Sequence, residues 1–199
     1  MKSINGKDAL LLKIKQQLRN SAEVKERLAS DYTDIIWQAS EVLVKAIHNG
    51  SKILFCGNGG SAADAQHLVA ELVSRLQLER KAIPALALNV NTSTVSAIAN
   101  DQDYSAVFVR QVEALGRKGD VLVGISTSGN SENVIKAVRY AKAHKLTTLV
   151  LTGGDGGKLA KLADFSIIIP SSNVQRIQEA HITVGHILCD ILEQSVLKP

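Results

Sequence analysis

The feature that most constrains the fold of this sequence is an alternation that begins near residue 52. Short apolar runs alternate there with turns rich in glycine, serine or asparagine and with helical stretches. Strands that alternate with helices form parallel sheets, because the chain must cross the sheet before it starts the next strand in the same direction. The predicted strands cover residues 53–56, 85–88, 121–125, 148–151 and 167–169.

Helices are predicted between these strands and before the first one. Residues 10–28 show an amphipathic helical pattern. A second helix is expected to begin with Asp31 as its N-cap and to end at Asn49 and Gly50, a common pair at a helix end. The later helices are predicted over residues 61–76, 131–144 and 174–197.

These elements predict an α/β fold, a three-layer doubly wound sandwich built on a five-stranded parallel sheet of the flavodoxin-like kind. We divide the chain into an N-terminal helical segment, residues 1–30, and one α/β domain, residues 31–199. The apolar stripes of the first two helices can pack inward or against another subunit. Ligands of such folds bind beyond the carboxyl ends of the strands, so the turns that follow the strands are the candidate site.

The turn after the first strand, residues 57–62, reads Gly-Asn-Gly-Gly-Ser-Ala and leads into a helix. Its glycines allow close backbone approach, and its amides face an anion at a helix N-terminus. The run also fits the dinucleotide pattern G-x-G-x-x-A, so an enzyme that uses a nicotinamide cofactor is an alternative. That pattern needs an acidic residue after the second strand, where Asn89, Val90 and Asn91 stand instead. The dinucleotide interpretation is therefore weak.

A second turn, residues 126–131, reads Ser-Thr-Ser-Gly-Asn-Ser and directly follows the third strand. Its four hydroxyls, its backbone amides and the start of the next helix suit the oxygens of a phosphate without an arginine. A polar turn with Ser131 as an ordinary helix N-cap is the simpler interpretation.

A third glycine-rich stretch, residues 152–158, does not fit a P-loop. Gly153 to Gly157 is one residue short of the G-x-x-x-x-G-K pattern. Leu159 also stands where that pattern requires a hydroxyl for magnesium. We therefore predict no nucleoside triphosphate site here.

Three polar residues, His67, Glu71 and Arg75, recur at spacings of four on the predicted helix 61–76. This spacing places them on one helix face over two turns. A histidine and a carboxylate four apart suit zinc binding or proton transfer, and Arg75 can offset the carboxylate or meet a substrate. A surface stripe with an ordinary ion pair explains the same spacing, so the residues alone leave the choice open.

The last predicted helix carries polar residues in an otherwise apolar frame, and buried polar groups need partners. Periodicity places His181 about 60° to one side of Gln178 and His186 about 80° to the other. His186 also lies roughly 12 Å from Gln178 along the helix axis, since each residue rises about 1.5 Å. Helical geometry therefore does not decide which histidine acts with Gln178.

Composition excludes several classes of function. The 23 Lys and Arg against 19 Asp and Glu give a formal net charge of +4, which favours anionic small molecules. The basic residues are scattered and only 4% of residues are aromatic, so we expect no nucleic-acid partner. Cys56 and Cys189 form no CxxC pair and are expected to be inert core thiols. With no signal-peptide pattern in residues 1–6 and no run of 18 apolar residues, we expect a cytoplasmic protein without a membrane partner.

Four stretches, taken together and in order, are far more specific. They read CGNGGSAADAQHLVAE at 56–71, IAND at 98–101, GISTSGNS at 124–131 and RIQEAH at 176–181, with His186 beyond. From about residue 31 to residue 192, the chain closely resembles the sedoheptulose 7-phosphate isomerases, which are SIS-domain proteins.

The resemblance implies a five-stranded SIS fold and a homotetramer with sites between subunits. It implies interconversion of sedoheptulose 7-phosphate and D-glycero-D-manno-heptose 7-phosphate, the first step toward ADP- or GDP-heptose precursors. It also implies one zinc ion per subunit, with His67, Glu71, Gln178 and His186 as ligands, and so favours His186 over His181. The substrate-binding residues that it implies are Asn58, Gly59, Gly60, Ser61, Glu71, Arg75, Asn100, Asp101, Ser126, Thr127, Ser128, Ser131 and Gln178. Some members have an acidic residue at the position of Gln175, and the role of that acid is open here.

Such an isomerase moves a proton between two sugar carbons through an enediol, so it needs a base and an acid. We assign Glu71 as the base and His186 as the complementary acid, with zinc supplying Lewis-acid polarisation of the carbonyl. A zinc-bound carboxylate is a weaker base, which leaves open whether Glu71 acts while bound.

The alternative is a non-catalytic SIS-domain regulator that resembles the DnaA initiator-associating protein. That regulator lacks the acid found here at Glu71 and has a different glycine loop.

Overall fold

The protein is represented by a computed structural model that describes residues 6–197. Residues 1–5, which hold most of the segment searched for a signal peptide, and residues 198–199 lie outside the described residues. Five parallel strands form one sheet in the order β2-β1-β3-β4-β5. The strands are β1 Ile53–Gly57, β2 Ala85–Ala87, β3 Val121–Ile125, β4 Thr147–Gly153 and β5 Phe165–Ile169. The five predicted strands are thereby confirmed, with no end displaced by more than two residues.

Eight α-helices and one 3-10 turn, at Tyr104–Ala106, are present among residues 6–197. The helices are α1 Gly6–Asp31, α2 Thr33–His48, α3 Gly60–Val73, α4 Thr92–Asp101, α5 Val107–Leu115, α6 Glu132–Ala143, α7 Gly157–Leu162 and α8 Val174–Ser195. Within this part of the chain, none of the helices combines the length and the apolar character that crossing a membrane requires.

Alternate strand side chains supply two separate cores, one on each face of the sheet. Ile53 and Phe55 of β1 pack with α1, α2, α3 and α8. Leu54 and Cys56 point the other way and pack with α5, α6 and α7. The predicted three-layer doubly wound fold is therefore confirmed. The apolar runs predict five buried strands, but β2 and β5 lie at the sheet edges and have partly exposed residues.

The boundary between the first two helices differs from the prediction. Asp31 is the last residue of α1 rather than the N-cap of α2, so its side chain cannot cap the next helix. Tyr32 holds the N-cap position and makes no capping bond with its side chain. The predicted end at Asn49 and Gly50 is confirmed, since Gly50 has the positive φ of 76° typical after a helix. The domain boundary after residue 30 stays a prediction.

The two thiols lie in the cores as expected. Cys56 and Cys189 are both free and buried. Burial raises the pKa of each thiol to about 12, which keeps both protonated and unreactive near neutral pH.

The strand order creates a point where the winding of the chain reverses. β2 and β3 lie on opposite sides of β1, so the connections that leave β1 and β3 pass to different faces of the sheet. Gly57, the last residue of β1, pairs with Ile125, the last residue of β3. The glycine loop after β1 and the serine loop after β3 therefore start side by side at one edge of the sheet.

Helices α3 and α8 pack side by side and run in the same direction. Their contacts follow the same order along both helices, from Gly60 near Gln178 to Leu68 near Gly185. A Cβ atom added at Gly185 would lie 2.6 Å from Cδ2 of Leu68, so glycine is what permits this close approach. Leu68 is 2% exposed and has little room to move away.

We therefore expect Gly185→Ala to destabilise the protein. An alanine normally stabilises a helix interior by about 0.5–1 kcal/mol relative to glycine. The clash with Leu68 reverses the sign, and overpacking of this kind costs about 1–3 kcal/mol. Urea denaturation measures the change, with Gly6→Ala as the control because nothing lies within 4 Å of a Cβ there. A Gly185→Ala variant that is as stable as the wild type would contradict the account.

Candidate functional site

Three side chains from α3 and α8 meet beside the reversal point. His67 Nε2 lies 2.8 Å from His186 Nε2 and 3.4 Å from Glu71 Oε1. The two imidazole rings meet edge-on, with centroids 5.0 Å apart and planes at 72°. One donor atom from each of His67, Glu71 and His186 lies within 4.8 Å of the others, so a single ion could contact all three. The parallel packing of the helices thus brings together residues that are more than a hundred positions apart.

The chemistry of this cluster fits zinc. Two imidazole nitrogens and one carboxylate oxygen form a donor set that zinc commonly uses. His67 and Glu71 lie one turn apart on α3, which explains the spacing of four in the sequence. The cluster is partly open to solvent, with His67 exposed and Glu71 and His186 half-buried. A site of this kind can admit a substrate beside the ion.

Gln178, the fourth predicted ligand, lies at the other end of α3. Its side chain covers Gly60, where any Cβ atom would collide with the amide of Gln178. Gly60 precedes His67 by seven residues, about 10 Å along a helix axis. The role of Gln178 as a ligand stays a prediction.

Arg75 does not extend the face formed by His67 and Glu71, as the spacing predicted. Helix α3 ends at Val73 rather than at residue 76, so Arg75 lies in the following segment. Its guanidinium pairs there with Glu79, and both side chains are well exposed. Contact between Arg75 and a substrate stays a prediction.

The two histidines of α8 have different environments. His186 joins the cluster, whereas His181 is buried to 1% exposure and donates from Nε2 to the carbonyl of Thr152, 3.0 Å away. Burial lowers the pKa of His181 to about 4, against an opposing effect of that hydrogen bond. His181 is therefore neutral. Its hydrogen bond holds the C-terminal end of β4, and its side chain does not face the cluster.

The glycine loop after β1 is held by amide side chains. Asn58 and Asn133 exchange two side-chain hydrogen bonds of 2.9 Å each, and the hydroxyl of Tyr104 donates to Asn58 Oδ1 at 3.1 Å. Asn89 donates to the carbonyl of Gly57 at 2.6 Å. Gly59 has a φ of +55°, a conformation that favours glycine. The loop is thus fixed before a ligand arrives.

Sequence reasoning missed Asn133, Tyr104 and the supporting role of Asn89. Asn89 was noted only because it stands where a dinucleotide site needs an acid. Asn133 follows the serine loop by two residues, and its proximity to Asn58 follows from the pairing of β1 with β3. A prediction that β1 and β3 are neighbouring strands could therefore have identified Asn133. For Tyr104, we find no comparable signal in the sequence.

Side chains of the serine loop bond to one another. Ser126 is 3% exposed, and its hydroxyl lies 2.8 Å from the hydroxyl of Ser131. Ser131 is the N-cap residue of α6, as the simpler interpretation predicts, but its side chain makes no capping bond. The carbonyl of Thr127 accepts from the amide of Gly153, and the hydroxyl of Ser128 accepts from the amide of Asn130. Thr127 is half-buried and Ser128 is exposed.

The third glycine-rich stretch supports this loop. Leu159 donates its amide to the carbonyl of Gly129 at 3.0 Å, and Lys158 donates its amide to Asn130 Oδ1 at 3.2 Å. A Cβ atom at Gly129 would collide with the carbonyl of Gly156. The stretch that fails as a P-loop therefore serves as a backing for the serine loop.

The remaining predicted substrate residues lie around these loops. Ser61 is buried at the start of α3, and its amide bonds to the carbonyl of Asn58 at 3.0 Å. Asn100 and Asp101 are exposed at the end of α4, where the amide of Asn100 donates to Asp101 Oδ1 at 2.9 Å. Their contacts with a substrate stay predictions.

Comparison with known proteins gives the family. A family model described as the SIS domain matches residues 16–153. The phosphoheptose isomerase of Clostridium acetobutylicum is 50% identical over 185 residues, which are 92% of this chain and 94% of that protein. The chain belongs to the phosphoheptose isomerase family of SIS-domain proteins. The resemblance seen in the four sequence stretches is thereby confirmed.

Solved structures of phosphoheptose isomerases agree with this assignment. The one from Neisseria gonorrhoeae has a TM-score of 0.89 and 42% identity, and the match covers 93% of this chain and 99% of that chain. The one from Francisella tularensis has a TM-score of 0.90 and 38% identity over 92% and 98% of the two chains. The phosphoheptose isomerase fold thus extends over nearly the whole described chain.

The buried neutral state of His181 should make stability depend on pH. In the unfolded chain the histidine takes up a proton near pH 6.5, whereas the folded-state pKa is about 4. Between these values the unfolded state binds more protons, so the contribution of His181 to the free energy of unfolding falls as the pH falls. The slope approaches about 1.4 kcal/mol per pH unit. Asp64 opposes it, because burial raises the pKa of that carboxyl to about 6 and the folded state then holds the extra proton.

Comparison of variants separates the two groups. His181→Gln keeps a side-chain donor but cannot take up the proton, and His144→Gln serves as a control at an exposed histidine. We expect the free energy of unfolding of His181→Gln, relative to that of the wild type, to rise as the pH falls from 6.5 to 4, because the loss due to His181 is removed while the effect of Asp64 remains. The curve of the control should stay parallel to that of the wild type. Parallel curves for all three proteins would contradict the buried neutral state.

Proposed function

We propose that this chain is an aldose-ketose isomerase that interconverts sedoheptulose 7-phosphate and D-glycero-D-manno-heptose 7-phosphate. The observation that carries the proposal is the meeting of His67, Glu71 and His186 beside the two loops, in a chain about half identical to phosphoheptose isomerases. The product would feed the synthesis of nucleotide-activated heptose.

One zinc ion per subunit would be held by His67, Glu71 and His186, with Gln178 as the further ligand that the family resemblance implies. The donor chemistry of the three clustered residues supports this assignment. When bound, zinc supplies Lewis-acid polarisation of the sugar carbonyl.

Glu71 and His186 divide the proton transfers between them. Glu71 removes a proton from C1 of the ketose while His186 donates a proton to the oxygen on C2, which gives the enediol. Glu71 then returns a proton to C2 as His186 takes the proton from the oxygen on C1, which gives the aldose. Atoms and charge balance over the two steps, and both residues end in their starting states. Their closeness to His67 supports these roles.

The serine loop would hold the phosphate. Hydroxyls of Ser126, Thr127, Ser128 and Ser131 stand at the start of α6, where backbone amides favour an anion. The bond between Ser126 and Ser131 fixes two of these hydroxyls in advance. The sugar chain would then extend toward the cluster. Its further contacts would come from Asn58, Gly59, Gly60, Ser61, Arg75, Asn100, Asp101 and Gln178.

A homotetramer agrees with the surface of the described residues. Leu10 is 62% exposed on α1, Trp37 is 56% exposed on α2, and Ile187 is 41% exposed on α8. Trp37 and Ile187 line an apolar groove of about 450 Å³ between α2 and α8. Burial of such surface against further copies of the chain would be favourable.

We propose the cytoplasm as the location, because two free buried thiols suit a reducing compartment.

The regulator is the weaker alternative. Glu71, which the DnaA initiator-associating protein lacks, is present here and lies against His67. The curated relatives at about half identity are named phosphoheptose isomerases.

An assay of the purified protein with sedoheptulose 7-phosphate tests the proposal. We expect the aldose to appear, the rate to fall after treatment with a chelator, and added zinc to restore it. Absence of product from a folded, zinc-loaded protein would reject the isomerase. Binding to the DnaA initiator in a pull-down would then favour the regulator.

Glu71→Gln tests the assignment of the base. The amide cannot accept the C1 proton, so we expect the rate to fall by about 10²–10⁴-fold with the fold preserved. Glu113→Gln is the matched control, because Glu113 lies in an exposed ion pair with Arg110. Turnover of Glu71→Gln close to that of the control would remove Glu71 from this role.

A further inference from the structure

We infer that Arg80 and Glu193 form a positioning pair, which fixes α3 against α8 and so holds His67, Glu71 and His186 at their working distances. The inference rests on the proposed function, because it concerns the geometry of the same cluster. Arg80 Nε and Glu193 Oε1 lie 3.2 Å apart, with side-chain exposures of 1% and 0%. Neither residue takes part in the chemistry proposed above.

Arg80 caps the C-terminal end of α3. The last carbonyls of a helix have no partner within the helix, and a cation is favoured at that end. The guanidinium of Arg80 supplies both needs, since it donates to the carbonyl of Glu71 at 2.7 Å and to that of Leu72 at 2.9 Å. The cap therefore bonds directly to the main chain of a cluster residue.

Glu193 anchors the segment that follows α3. Its carboxylate accepts the backbone amides of Leu76, Gln77 and Leu78 at 2.8–2.9 Å. Burial raises the pKa of Glu193, but the three amides and Arg80 lower it further, so the pKa lies below its usual value and the group is ionised. A buried charge needs such partners, which makes the anchor hard to displace.

Glu193 lies beyond the cluster on α8, and Arg80 lies in the segment that follows α3. Glu193 follows His186 by seven residues on α8, about two turns, while the carbonyl bonded by Arg80 belongs to Glu71 itself. The contact of Gly185 with Leu68 sets how closely the helices approach. Arg80 and Glu193 set how far one helix slides along the other. A slide would change the separation of His67 and His186 without touching either side chain.

Arg80→Lys separates this role from charge alone. Lysine keeps a cation beside Glu193, but its single ammonium lacks the two terminal nitrogens with which the guanidinium bonds the carbonyls of Glu71 and Leu72. Arg110→Lys is the matched control, at an arginine in an exposed pair with Glu113. Four quantities are measured: the thermal midpoint, the zinc affinity by competition with a chromogenic chelator, and kcat and KM for sedoheptulose 7-phosphate.

We expect folded Arg80→Lys to bind zinc about 10-fold more weakly and to lose about 10-fold or more in kcat. Mutation of groups that support metal ligands commonly has effects of this size. KM should change by less than about 3-fold, because the serine loop is untouched, and Arg110→Lys should match the wild type. Glu193→Asp, which shortens the anchor by one methylene, should show the same pattern. Wild-type zinc affinity and kcat in a folded variant would overturn the inference.

Loss of folding in both Arg80→Lys and Glu193→Asp would also overturn it, since the pair would then act on stability alone. The proposed function fails separately. If the wild type shows no isomerisation, that proposal is rejected, while the comparison of zinc affinity between the wild type and Arg80→Lys still tests the positioning pair.

Discussion

The parallel packing of α3 against α8 is the contact on which the rest of this site depends. Gly185 lets Leu68 approach closely, and the same packing places His67 and Glu71 opposite His186. Neither helix carries a complete set of donors by itself. Because cores respond to changes of a single methylene, a small change in this interface alters the distances between the three side chains. The packing of the core thus sets the geometry of the candidate site.

The sheet contributes the second half of the site. The reversal of winding between β1 and β3 sets the glycine loop and the serine loop side by side at the carboxyl edge. Each loop is fixed by bonds to its neighbours, through Asn133 and Asn89 in one case and through the glycine-rich stretch after β4 in the other. Preformed loops would lose little conformational freedom on binding the proposed phosphorylated sugar, which would favour affinity.

The sequence predicts the central sheet well, because apolar runs such as 121–125 are unambiguous between polar turns. It does not predict helices α4, α5 and α7. Helix α4 is rich in threonine and serine and has no buried residue, and α7 is only six residues long within a glycine-rich stretch. At the site, the spacing of four singles out His67 and Glu71. It also places Arg75 on the same helix, whereas α3 ends at Val73. Helical periodicity does not distinguish His181 from His186, although the family resemblance favours His186. The physical reason lies in the structure, where one side of α8 faces α3 and the other faces β4.

Anomalous diffraction at the zinc absorption edge, from crystals of the zinc-loaded protein, is the most direct measurement of the central claim. The account predicts one strong peak per subunit, within bonding distance of Nε2 of His67, Nε2 of His186 and the carboxylate of Glu71. A zinc ion bound elsewhere, with these three side chains free of metal, would contradict it.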